Sequence, residues 1–298
     1  MIDIHNISTH CTRTEFVGTT VLDTIGLVIS GIDDTLLSTM NISTKYHTLG
    51  LFSSRTGAAG QITAIDDAVK ATNTEVLSIE FPRDTKGWGG HGNYIVIGGN
   101  DVSDVRHAIE LALELTKKNA GELYISDSGH LEFTFSASAG AALQKAFHAV
   151  PGQAFGFMAG SPAAIGLVMA DTAMKASAVN IACYMTPSIG TSHSNEVIIA
   201  ISGDASAVKA AVLEGRQTGL ELLIGMGTYP EIQVLSKPPS SKPARSASNS
   251  SLAWAATPKS PVHRTCKSKK PAPHTTHPTD KWSWGTGFLL YSLIIEFS

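Results

Sequence analysis

Apolar positions along this chain fall into short runs and helical stripes that recur in a fixed order. LGLF at 49–52 and FGFM at 155–158 are continuous apolar runs of strand length. Each is followed by a stretch rich in Ala, Gly and Thr that predicts a helix, at 58–72 and 163–178. EVLSIEF at 75–81 and NIACYM at 180–185 predict the next strands, and NYIVIGG at 93–99 and EVIIAIS at 196–202 the ones after them. A second helix follows in each case. In SDVRHAIELALEL, residues 103–115, apolar residues stand at 105, 108, 109, 112 and 113, which is helical spacing behind a cap-like Ser103. ASAVKAAVLEGRQTGL continues the same way after Asp204. Ahead of each set lies more apolar sequence. FVGTTVLDTIGLVIS at 16–30 predicts strand around a turn at Asp23 and Thr24, and HLEFTFSASAGAALQKAF at 130–147 predicts a strand running into a helix.

The recurrence is also one of residues. AIDDAVKATNTEV at 64–76 lies over MADTAMKASAVNI at 169–181, an offset of 105, with Asp66 on Asp171, Lys70 on Lys175 and Ala71 on Ala176. Further on, His91 meets His193, Asn93 meets Asn195, Ser103 meets Ser206 and Val105 meets Val208. The expected fold is α+β: two similar domains, each a small, mostly antiparallel sheet with packed helices. The expected bounds are 15–118 and 119–236, with a link near 119–128, a flexible extension at 1–14 and a tail at 237–298.

Charge separates the tail from the rest. Residues 1–236 carry 13 Lys and Arg against 23 Asp and Glu, whereas 237–298 carry 9 against 2, together with 8 of the 13 prolines. An acidic body argues against a phosphate backbone as partner. The basic, Pro- and Ser-rich tail predicts disorder. It is either an arm whose apolar end, FLLYSLIIEF, binds partner proteins, or a reading frame that changes after about Leu235; the second is preferred. The start of the chain lacks the basic-then-apolar pattern of a signal peptide, and no apolar run approaches the roughly 20 residues of a membrane helix. A cytosolic protein without membrane contact is expected. Cys11, Cys183 and Cys266 form no pair with metal or disulfide spacing, and Cys183 is expected as a buried, inert thiol.

ADTAMKASAVNIACY followed by EVIIAISGDASAVKAAVLEG resembles the bacterial microcompartment (BMC) shell domain, and the first domain carries a looser version. DTIGLVISGIDDTLLSTM and AFGFMAGSPAAIGLVMADTAMKASAVNIA extend the resemblance over 15–225, to the tandem, circularly permuted shell proteins of the propanediol-utilisation type. The resemblance implies a homotrimer in which six BMC domains make a hexagonal tile. Tiles meet other shell proteins edge to edge, and their pores pass small diols, glycerol or 1,2-propanediol. It implies no cofactor and no catalysis by the chain itself. The enclosed enzymes would include a diol dehydratase, reached through the N-terminal extension.

In this family the loop between the two strands lines a pore, which assigns 82–92 and 186–194. Arg83, Asp84, Thr85, Lys86, Gly87, Gly89 and Gly90 would give the first domain a charged mouth. Ser188, Gly190, Thr191 and Ser192 would give the second a hydroxyl-rich one. Glu80 would line a channel within the subunit, and Lys70 and Lys175 would sit at tile edges. GWGGHG at 87–92 matches G-x-G-x-x-G but lies between two strands rather than before a helix, so it is no dinucleotide site. His91 and His193 have no acidic or Cys partner at ligand spacing and are expected to bond the backbone. Asp66, Asp67 and Asp171 sit where helix turns favour a carboxylate and are not paired as acids. The alternatives are an enzyme or a sensor acting on a small polyol; the first needs a catalytic constellation and the second an output domain, and neither is visible.

Overall fold

A computed structural model describes residues 14–42, 45–83, 91–191, 193–227 and 229–232. The extension up to residue 13 and the tail at 237–298 lie outside the described residues. The chain divides into two compact bodies, 1–244 and 245–298, and every described residue belongs to the first.

The first half runs β1 (Thr14–Thr20), β2 (Thr24–Ile29), α1 (Asp34–Thr39), β3 (Thr48–Ser54), α2 (Ala59–Ala71), β4 (Glu75–Glu80), β5 (Asn93–Gly99) and α3 (Val102–Asn119). The second repeats that order: β6 (Glu122–Ser126), β7 (Gly129–Ser136), α4 (Ala141–Phe147), β8 (Ala154–Ser161), α5 (Ala163–Ala176), β9 (Asn180–Met185), β10 (Val197–Gly203) and α6 (Ala205–Gly225). A short β11 (Glu231–Ile232) follows. The sheets are β1-β2-β3-β5-β4 and β11-β6-β7-β8-β10-β9. All their strand pairs are antiparallel.

Three local features differ from the expectation. The first hairpin turns at Leu22 and Asp23, both with positive φ, and Thr24 already pairs with Thr20. Residues expected as the link, 119–128, hold β6, because Leu123 and Tyr124 are buried and Ser126 pairs with Gly129 across a two-residue turn. α1 was not foreseen. Asp33 starts it by accepting from the Thr35 and Leu36 amides at 2.9 and 3.1 Å, and Leu37 anchors it in a small core with Leu49 and Val96.

α2 lies against α3, and α5 against α6. The approach is close: a Cβ on Gly60 would meet the Ala120 backbone at 2.5 Å, so this position tolerates no side chain. On α3 the buried residues include Val105, Ala108, Ile109, Ala112 and Leu113, the stripe that the spacing predicts.

One core spans both halves. Ile62 and Ile65 of α2 share it with Phe147 of α4 and Phe155 and Phe157 of β8. The Phe147 ring lies 5.6 Å from Phe155 and 5.3 Å from Phe81. Burying each such ring is worth about 2–3 kcal/mol. The halves also exchange helix caps. Asp66 of α2 accepts from the backbone N–H groups of Gly140, Ala142 and Leu143 at 2.8–3.2 Å, closing the start of α4. Glu132 of β7 accepts from Ala58 and Ala59 at 3.0 Å, closing the start of α2. Neither α2 nor α4 has a side-chain cap of its own.

Candidate functional site

The β4–β5 and β9–β10 connections come from different halves and meet. The described part of the first is 81–83 and 91–92. Arg83 bridges to His91 through the main chain, and Gly92 N–H donates to Pro82 C=O at 2.9 Å. The second makes a tight turn in which Thr186 and Ile189 exchange backbone hydrogen bonds at 2.8 and 2.9 Å, and Gly190 takes φ +88°.

Where they meet, four titratable side chains are buried: His91, His130, Glu132 and Glu196. Glu196 Oε1 pairs with His91 Nδ1, and Glu196 Oε2 lies 2.8 Å from His130 Nε2. His91 Nε2 is 3.0 Å from the Thr191 carbonyl oxygen, and the Phe81 ring stands edge-on to the imidazole. Burial alone would raise the Glu196 value, but the two histidines outweigh it and hold the carboxyl at about 2. Burial likewise opposes charge on His91, yet Glu196 and the Thr191 carbonyl raise its value above the ordinary one. Glu132 is pushed up by burial, against the lowering pull of its two amide donors. Among the described residues no group of three or more His, Cys, Asp or Glu is arranged to hold a metal ion.

Each expected site residue has its place. Arg83 is exposed, as are Ser188 and Gly190 at the tip of the 186–191 turn. Ile189, which sequence reading left out, is 67% exposed between them. Asp84, Thr85, Lys86, Gly87, Gly89, Gly90 and Ser192 lie outside the described residues. Thr191 is a correction. It is buried, and its hydroxyl donates to the Thr186 and Ser194 carbonyls at 2.9 and 3.2 Å, so within the chain it holds the turn instead of lining an opening. Glu80 is exposed at the end of β4, paired in register with Tyr94. Lys70 is exposed on α2, where it lies 2.8 Å from Asp66 and 2.6 Å from the Ser138 carbonyl oxygen. Its equivalent Lys175 is exposed and pairs with Asp171 at 2.7 Å. His193 is exposed with φ +63°, so the two histidines do not share an environment. Cys183 is half-buried, and burial raises its thiol pKa.

The His–Glu–His arrangement was missed. His130 and Glu132 alternate with apolar Leu131 and Phe133, a pattern that reads as the wet face of a strand. That face is covered by the other half of the chain, which no local pattern announces.

The BMC domain family model matches residues 48–127 and 154–232. The chain belongs to the BMC-domain family of microcompartment shell proteins. Both BMC matches begin at the third strand of a half, β3 or β8, as a permuted chain requires. The bacterial microcompartment shell protein PduB of Citrobacter freundii is 49% identical over 221 residues, 74% of this chain and 82% of that one. A crystal structure of a trimeric PduB superposes with a TM-score of 0.70 at 46% identity, covering 73% of this chain and 96% of that one. EtuB from Clostridium kluyveri gives 0.71 at 46% identity, covering 75% and 97%. The PduB relatives are microcompartment shell proteins, and the enzyme and sensor alternatives are not favoured by that finding. Among the described residues no helix is long and apolar enough to cross a membrane.

Proposed function

We propose that three copies of this chain form a hexagonal shell tile of a propanediol- or glycerol-utilising microcompartment in the cytoplasm. The tile meets other shell proteins edge to edge and passes small diols. The carrying observation is an apolar face that no other described residue covers. α5 exposes Leu167 and Val168, and β9 exposes Ile181 and Tyr184. By the repeat, Leu167 and Val168 correspond to Ile62 and Thr63 of α2, which are buried against the second half. A second copy that offers its first half to α5, as the second half is offered to α2, would cover this face and continue around a ring.

On this reading the domains run over 15–118 and 119–236, in keeping with the repeated element order. Arg83, Asp84, Thr85, Lys86, Gly87, Gly89 and Gly90 line one type of opening. Ser188, Gly190 and Ser192 line the other, where small hydroxyl and backbone groups hydrogen-bond a diol without holding it. Glu80 is assigned to the channel within the subunit, and Lys70 and Lys175 to contacts with neighbours. Residues 1–14 tie the shell to enclosed enzymes such as a diol dehydratase. Light scattering on the full chain, with electron microscopy of the same sample, tests this. The expected result is three times the 31.3 kDa of the chain, growing into flat hexagonal sheets; a stable monomer or dimer without sheets would overturn it.

A further inference from the structure

Both ring nitrogens of His91 face oxygens that only accept hydrogen bonds. Nδ1 meets the Glu196 carboxylate, and Nε2 lies 3.0 Å from the Thr191 carbonyl. A neutral imidazole has a single N–H and can serve one of them. We infer that His91 is a proton-dependent staple: doubly protonated, it binds the 186–191 turn of the second half to the end of the first half's β4–β5 connection, and loss of that proton releases the turn. This goes beyond the tile reading and stands whether or not an opening runs beside the turn.

Among the described residues, the neighbouring groups are already engaged elsewhere. His91 is 3% exposed, so bulk water does not replace a lost bond. Glu196 has its second oxygen on His130, and Glu132 Oε1 is held by the Ala58 and Ala59 amides. Arg83 reaches His91 through its main chain, while its side chain is exposed. The Thr191 carbonyl carries the turn with it, because the Thr191 hydroxyl is tied to Thr186 and Ser194. If the shared proton sat on Glu196 instead, the cluster would still need it, since its removal leaves a lone pair facing an oxygen in either arrangement. His91 touches no ligand here; it is a positioning residue.

The sign follows from the raised value of His91. Its contribution is complete below the ordinary histidine value of about 6.5 and is lost as pH rises through the higher folded-state value. The switch therefore works on the alkaline side.

The test uses the full-length protein labelled with 15N in its histidine rings. Ring shifts distinguish imidazolium from either neutral tautomer, and hydrogen exchange of 186–191, corrected for base catalysis, follows the turn between about pH 6 and about pH 9. The expected result is a doubly protonated His91 at the acidic end and a loss of turn protection of about tenfold, relative to β8, as it titrates. In His91→Gln, whose donors sit on one nitrogen and do not titrate, the turn is weakly protected throughout and shows no step. A neutral His91 at about pH 6, or the same step in His91→Gln, would overturn the staple. Should that variant fail to fold, the ring titration of the unaltered protein decides alone. Neither readout depends on trimer formation, so failure of the tile reading is seen separately.

Discussion

α2 and α5 are one helix written twice, and the chain treats them differently. α2 is covered on two sides, by α3 of its own half and by β7 and α4 of the other. Ile62, Thr63 and Asp66 are buried there. α5 is covered by α6 but leaves Leu167, Val168 and Asp171 exposed. Duplication thus places one copy of a contact inside the chain and its counterpart on a surface that no other described residue covers. The inside copy is also chemically richer. β7 brings His130 and Glu132 to the junction, whereas β2, TIGLVI, has no charged residue. α4 starts at Gly140 and borrows its cap, whereas α1 is capped by its own Asp33.

Paired substitutions test this contrast. Ile62→Ala should cost about 2–5 kcal/mol of unfolding free energy, as truncation in a close-packed core does. Leu167→Ala should cost under ~1 kcal/mol in the isolated chain, while Leu167→Asp should lower the mass seen by light scattering. Equal urea midpoints for the two alanine variants would break the contrast. Next in size, Asp66→Ala opens three backbone donors and removes one of the partners of Lys70, at a cost of about 2–3 kcal/mol. Asp171→Ala, at an exposed i,i+4 pair, should change stability by less than ~0.5 kcal/mol.

At the junction, acid should act through Glu196. Glu196 has a folded-state value of about 2 against an ordinary 4.5, so the stability it lends is present above 4.5 and is lost as pH falls towards 2. The melting temperature should decline across that window, and Glu196→Gln should flatten the decline. An unchanged slope in the variant would remove Glu196 from the account. Smallest of all, Lys70→Met should cost no more than ~1 kcal/mol and Lys175→Met close to nothing, both read from denaturation midpoints.

Strands β3, β4, β5, β8, β9 and β10 and helices α2 and α5 were legible to within two residues or so, because apolar runs and helical stripes flag them locally. α3 and α6 were legible in place, though they extend beyond the predicted stretches. α1 and β6 were not, since a six-residue helix carries too little periodicity and ELYIS was hidden between turn-forming residues. At the site, the open positions Arg83, Ser188 and Gly190 follow from loop composition. The burial of Thr191 did not, because its partners come from the interior of the turn. For His91 the expected backbone bond is there, on Thr191. Its carboxylate partner lies 105 residues further on, a distance that spacing rules for ligands do not reach.

The exchanged caps govern how the chain can come into being. Glu132 closes α2 and Asp66 closes α4, so each half finishes folding only with a carboxylate supplied by the other. During synthesis, the first half leaves the ribosome with the start of α2 open and gains its closure only after residue 132 has emerged. Separated into two polypeptides, the halves would each carry an unfinished helix start. The two domains are therefore one cooperative folding unit, and the duplication that produced them is no longer reversible by simple division of the chain.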